Sequence, residues 1–181
     1  MKSNFEFLNE YWSDLAELGA DAEWQLFYDN SACILKLGTF AEKLADEILY
    51  SERLEEYIEL NQYDKIVLLE NKGILPENIK SIFHRIRILR NKVGHDNEQI
   101  SDKKAERCLI DAYNLAGWFT VIYNNKKTVI PKYKTPNYDV ENTIETSKQS
   151  PIKVKKVINL NPVLLIAFII SVSINIILIC R

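Results

Sequence analysis

The sequence predicts an all-α protein in three parts: a helical bundle over residues 1–125, a basic flexible linker over 126–160 and one membrane-spanning helix within 161–181. Three observations carry this. Apolar residues recur at three- and four-residue intervals through the first part, the period of a helix with one buried face. That spacing dissolves after Asn124 into lysine, proline and polar residues. Finally, Pro162 to Cys180 is a run of 19 residues without a charge.

Taken in order, Phe5 to Phe27 reads as a first helix, with Phe5, Leu8, Trp12, Leu15, Leu18, Ala22 and Leu26 on one side. Asp29-Asn30-Ser31 is a capping signal, and Ser31 to Tyr50 follows as a second helix through Ile34, Leu37, Phe40, Ala41, Leu44, Ala45 and Ile48. Gly38 within it asks for a neighbouring helix at close range. Arg53 to Leu60 and Tyr63 to Asn71 read as shorter helical pieces, and Lys72 to Pro76 as a turn. Pro76 suits a first helical position, where its missing amide proton would have no partner. In the next helix Ile79, Ile82, Phe83, Ile86, Leu89 and Val93 share a side, and Arg90 falls among them. Gly94 is expected to end that helix in a left-handed cap, freeing His95 to swing back toward Arg90. Asp102 to Tyr123 reads as a last long helix, with Cys108, Leu109, Ala112, Leu115, Ala116, Phe119 and Ile122 turned inward.

Residues 126–160 hold three prolines and little periodicity, which predicts a largely disordered linker with some extended pieces. In the tail only Ser171, Ser173 and Asn175 are polar. As a helix the run would span roughly 28 Å, against a hydrocarbon core of about 30 Å. Lys153, Lys155 and Lys156 precede it and only Arg181 follows, so the positive-inside rule places the bundle on the cytoplasmic side of a single-pass inner-membrane protein. No secretory signal is expected at the N-terminus, where an acidic amphipathic pattern begins at once.

Charge narrows the function classes. Residues 1–125 hold 14 Lys or Arg against 22 Asp or Glu, a net of −8, and residues 126–160 hold 8 against 3, a net of +5. An acidic body is a poor general nucleic-acid binder, because that affinity comes from neutralising phosphates. Within it, however, Lys80 to His95 carries Lys80, Arg85, Arg87, Arg90 and Lys92 and no acid. Either this is a solvated face paired with neighbouring acids, or it is a local, salt-sensitive phosphate-contacting surface. Glu42 and Glu47 on the second helix are the candidate counter-charges, with Glu42 as the structural partner of the motif arginines. Cys33, Cys108 and Cys180 are far apart, without the spacing of a disulfide frame or a zinc site, and neither a metal nor another cofactor is expected. His84, on the polar side of its helix, reads as solvated.

The run Arg90-Asn91-Lys92-Val93-Gly94-His95, an arginine, a polar residue, three more residues and a histidine, resembles the signature of the HEPN superfamily of small all-helical bundles. Many of these are metal-independent ribonucleases in which the arginine and histidine pair across a dimer and the RNA supplies its own 2′-hydroxyl. The wider stretch from Gly73-Ile74-Leu75-Pro76 through Arg87-Ile88-Leu89-Arg90 to His95 is similar to one branch: the helical domain found alone in bacteria and at the N-terminus of type I restriction enzyme R subunits. Asn4-Phe5-Glu6-Phe7-Leu8 with Trp12, and Phe40-Ala41-Glu42, are similar to that branch too. Many of its members carry glycine where Arg90 stands and their arginine at the position of Arg87, so either arginine is open as the functional one.

The resemblance implies Arg90, Asn91 and His95 as catalytic residues: His95 as general acid or base, Arg90 stabilising the charged phosphate and Asn91 orienting it. Arg87, Lys92 and Lys80 would bind substrate. It implies a homodimer, an RNA or nucleotide ligand and a bacterial defence or toxin–antitoxin setting with a partner protein, while the tail implies a lipid bilayer. The alternative is a non-catalytic module that dimerises or senses a nucleotide or nucleic acid. In the restriction-enzyme branch the domain is an accessory and the nuclease lies elsewhere in the chain.

Overall fold

Helix α2, Asn30–Ser51, is buried on more than one side, and the rest of the bundle is arranged around it. The computed structural model describes residues 2–96, 99–124 and 128–137. Besides α2 these include α1 (Ser13–Gln25), α3 (Gln62–Asn71), α4 (Glu77–Asp96) and α5 (Asp102–Tyr123), with single 3-10 turns at Glu6–Leu8 and Glu55–Tyr57. The described residues contain no strand. The predicted membrane span and most of the predicted linker lie outside them, and no described helix is long and apolar enough to cross a membrane.

Asp29 caps α2 by accepting from the Ser31 and Ala32 amides at 2.8 and 3.1 Å. Leu37, Phe40, Ala41, Leu44, Ala45 and Ile48 are all fully buried along α2, which packs against each of the other four helices. The expectation that helix continues from Phe5 to Phe27 is corrected. Phe5 turns back so that its ring covers Gly19 of α1, where an added Cβ would lie 2.6 Å from Phe5 Cδ1 and closer to Cγ. A continuous helix would carry Phe5 away from that contact. Instead Phe5 stacks edge-on to Phe40 at 5.3 Å, and the Asn4 amide donates to the buried Glu23 carboxylate at 3.1 Å.

Residues 128–137, which the sequence assigns to the linker, make contacts with the bundle. Lys134 donates its amide to Asn4 Oδ1 at 2.8 Å and accepts from Asn4 Nδ2 at 2.8 Å. Tyr133 stacks on Tyr113 at 5.3 Å, Ile130 packs against the core and the Tyr113 hydroxyl donates to the Pro131 carbonyl. Residues 128–137 have no repeating pattern because they are anchored by isolated contacts, yet they lie on the bundle.

Candidate functional site

Helix α4 begins where Gly73, at φ +71°, turns the chain out of α3 and the Pro76 carbonyl accepts from the Ile79 and Lys80 amides at 3.0 and 2.9 Å. Ile79, Ile82, Phe83, Ile86 and Val93 are buried and Leu89 is partly so, which fixes the rotation of the helix. The C-terminal end differs from expectation: α4 runs through Gly94 and His95 to Asp96, and Gly94 takes no positive φ. With Val93 still buried one residue earlier, nothing forces a turn at Gly94. His95 therefore keeps its helical register, about 140° around the axis and about 7.5 Å along it from Arg90. It is exposed in the last turn, and one chain does not bring it to Arg90.

The basic residues of α4 separate into two groups. Lys80 Nζ lies 2.6 Å from both Glu70 and Glu77, tying α4 to the end of α3. Arg85 makes a fork to the buried Asp111 of α5, both bonds at 2.9 Å. These two are neutralised by neighbouring acids. Among the described residues no ion pair joins an acid to Arg87 or Arg90, and Glu42, the expected counter-charge, is paired with neither. The Arg87 guanidinium lies over the Tyr63 ring of α3 at 5.0 Å, and its buried Nε has no hydrogen-bond partner among the described residues. Arg90 lays its stem on Gly38, where an added Cβ would come within 3.0 Å of Arg90 Cβ and closer to Cγ. This is the close approach that Gly38 predicts. Arg90 Nη1 donates to Asn91 Oδ1 at 3.2 Å, so Asn91 steadies the arginine.

Tyr63 and His84 also belong to this face. The His84 ring lies 5.8 Å from that of Tyr63 and is half-buried rather than solvated. Burial, and then the charges of Arg87 and Lys80, hold its pKa below the usual 6.5. The signal was present as spacing: Lys80, His84, Arg87 and Asn91 stand four, three and four residues apart, one stripe of a helix. Beneath them the buried Gln62 donates to the Gly38 carbonyl at 3.5 Å and Lys65 pairs with Asp46 at 2.6 Å, fixing α3 against α2. Lys92 stands apart from this stripe, on the side facing α5. No group of three His, Cys, Asp or Glu among the described residues is placed to hold a metal ion.

Residues 21–127, more than half of the chain, match the model of a family described as a domain of unknown function, DUF4145. The chain belongs to the DUF4145 family. The matched region of this DUF4145 protein runs from within α1 past the end of α5 and contains every site residue named above. The chain is also similar to the type I restriction enzyme EcoKI endonuclease subunit of Escherichia coli (strain K12), with 28% identity over 119 residues. That alignment takes in 65% of this chain but spans only 10% of the subunit. No solved structure matches.

Proposed function

We propose that this DUF4145 domain is a HEPN-like module that contacts the phosphate backbone of RNA through the Arg87–Arg90 face of α4. The observation that carries the reading is the division of charge along α4. A merely solvated basic helix would pair its cations with adjacent acids, as Lys80 and Arg85 do, whereas Arg87 and Arg90 are held in place by a ring, a glycine and an amide. Guanidinium groups oriented without a carboxylate keep their donor forks for phosphate. The similarity to a restriction-enzyme subunit supports a nucleic-acid-related role in bacterial defence. The module works as a homodimer on the cytoplasmic side of the inner membrane, held there by the tail at 161–181.

A second reading, metal-independent RNA cleavage, is favoured by the exposure of His95 in the last turn of α4. There it would take the proton of a 2′-hydroxyl as that oxygen bonds to the adjacent phosphorus and the P–O5′ bond breaks, while Arg90, or Arg87, stabilised the charged phosphate. The 5′-oxygen would leave with a proton from the solvent, and a 2′,3′-cyclic phosphate would remain. Because Arg90 and His95 diverge within one chain, this chemistry requires a second copy to bring the partner group. The test is one preparation assayed twice. RNA affinity should fall at least tenfold in the Arg87→Ala/Arg90→Ala variant at unchanged helicity; unchanged affinity removes the binding reading. Cleavage that persists in EDTA and disappears with His95→Ala would establish the second reading, and no cleavage by the wild type would remove it.

A further inference from the structure

On the other side of α4, facing α5, lies a groove of about 460 Å³. Its rim carries Arg85, Lys103 and Arg107, with Lys92 and Lys104 beside them, and among the described residues of the lining Asp111 is the one carboxylate. In a bundle whose first 125 residues have a net charge of −8, this concentrates positive potential where the body as a whole repels anions. The floor is apolar: Ile88, 48% exposed, with Leu89 and Cys108 beside it.

We infer that this groove is a nucleotide site, with the base on the Ile88–Leu89–Cys108 floor and the phosphate on the Arg85–Lys103–Arg107 rim. The inference does not rest on the reading of Arg87 and Arg90, which lie on another face of α4. Three features select the ligand. The buried Asp111 holds Arg85 through Nε and Nη2, using two of the five N–H donors of a guanidinium. The remaining three have no acceptor among the described residues, and the side chain is 51% exposed, so an oriented fork stands open at the rim. Arg107 approaches the same carboxylate only to 3.9 Å, so one negative charge is shared by two arginines. The volume lies within the range of small-molecule sites and exceeds what a bare phosphate fills, while an apolar floor beside a cationic rim suits a flat ring attached to an anion. A two-fold contact of this groove with its own copy would set cations against cations, which disfavours a second chain as the occupant.

The same chemistry is offered by a free nucleotide and by one nucleotide of a single strand, and the experiment separates them. The full-length protein is titrated calorimetrically with AMP, adenosine and inorganic phosphate, and an oligoadenylate is then tested as a competitor of AMP. AMP should bind at least tenfold more tightly than either adenosine or inorganic phosphate. Lys103→Ala/Arg107→Ala should weaken it at least tenfold, and Ile88→Glu, which places a carboxylate on the floor, should do the same. These three positions are exposed, so circular dichroism should show intact helices. Displacement of AMP by the oligomer assigns the site to a strand, and failure to displace it assigns the site to the free nucleotide. Absence of AMP binding at millimolar concentration, AMP no tighter than phosphate, or affinity unchanged in both variants overturns the inference. So does a variant that binds no AMP differently but converts a dimer to a monomer in sedimentation, which would make the groove an interface between copies.

Discussion

Substituting alanine for Gly38 tests how Arg90 is held. In isolation the change should help, because glycine in the middle of a helix costs about 0.5–1 kcal/mol relative to alanine. Here the new methyl would meet Arg90 Cβ at 3.0 Å and Cγ closer still, and neither atom is the free end of the side chain. Relief requires a different Arg90 rotamer or a wider separation of α2 and α4, and overpacking of this kind costs about 1–3 kcal/mol. The net expectation for Gly38→Ala is a loss of about 1 kcal/mol. With Arg90→Ala already in place the obstructing atoms beyond Cβ are gone, and Gly38→Ala should then stabilise by about 0.5 kcal/mol. The sign should therefore invert across the double-mutant cycle, giving a coupling of about 1–2 kcal/mol. Urea unfolding of the fragment 1–138, followed by circular dichroism, measures each corner. The single variant should also lose RNA affinity as the guanidinium is displaced. Equal effects of Gly38→Ala in both backgrounds would refute the contact.

Three further outcomes follow from the structure. A fragment ending at residue 125 should melt below one ending at 138, because it lacks the Asn4–Lys134 pair and the Tyr133 and Ile130 contacts; equal melting temperatures would return residues 128–137 to the linker. Arg85→Ala should destabilise by about 2 kcal/mol by leaving the buried Asp111 without its fork, whereas Glu42→Ala should stay within about 0.5 kcal/mol, and a reversal in denaturant midpoints would reinstate Glu42 as the counter-charge. His84 has a folded pKa below 6.5, so the stability contributed by its neutral ring is full above 6.5 and is lost as pH falls through the folded value. Proton NMR should show His84 titrating below 6.5 and moving upward in Arg87→Ala, and a titration unmoved by that substitution would separate the two residues.

Periodicity alone determined the helical class, the limits of α2 and α5 within a residue, and the inward face of α4, because a helix repeats its buried face every turn and leaves that repeat in the sequence. The motif was equally legible as a string, and so was the requirement that something press against Gly38. The pairing of each charge was not. Arg85 found Asp111 across 26 positions, and Glu42 was passed over, because the choice depends on which helices meet and at what rotation. The Phe5 fold-back escaped the pattern because its apolar spacing suits a helix as well as a turn packed on Gly19. His95 shows the same limit in reverse: Gly94 permits a left-handed stop but does not compel one, and α4 continues. The groove between α4 and α5 has no linear signature at all. Its lining comes from two helices separated by a loop, and only their packing sets an arginine fork beside an open isoleucine.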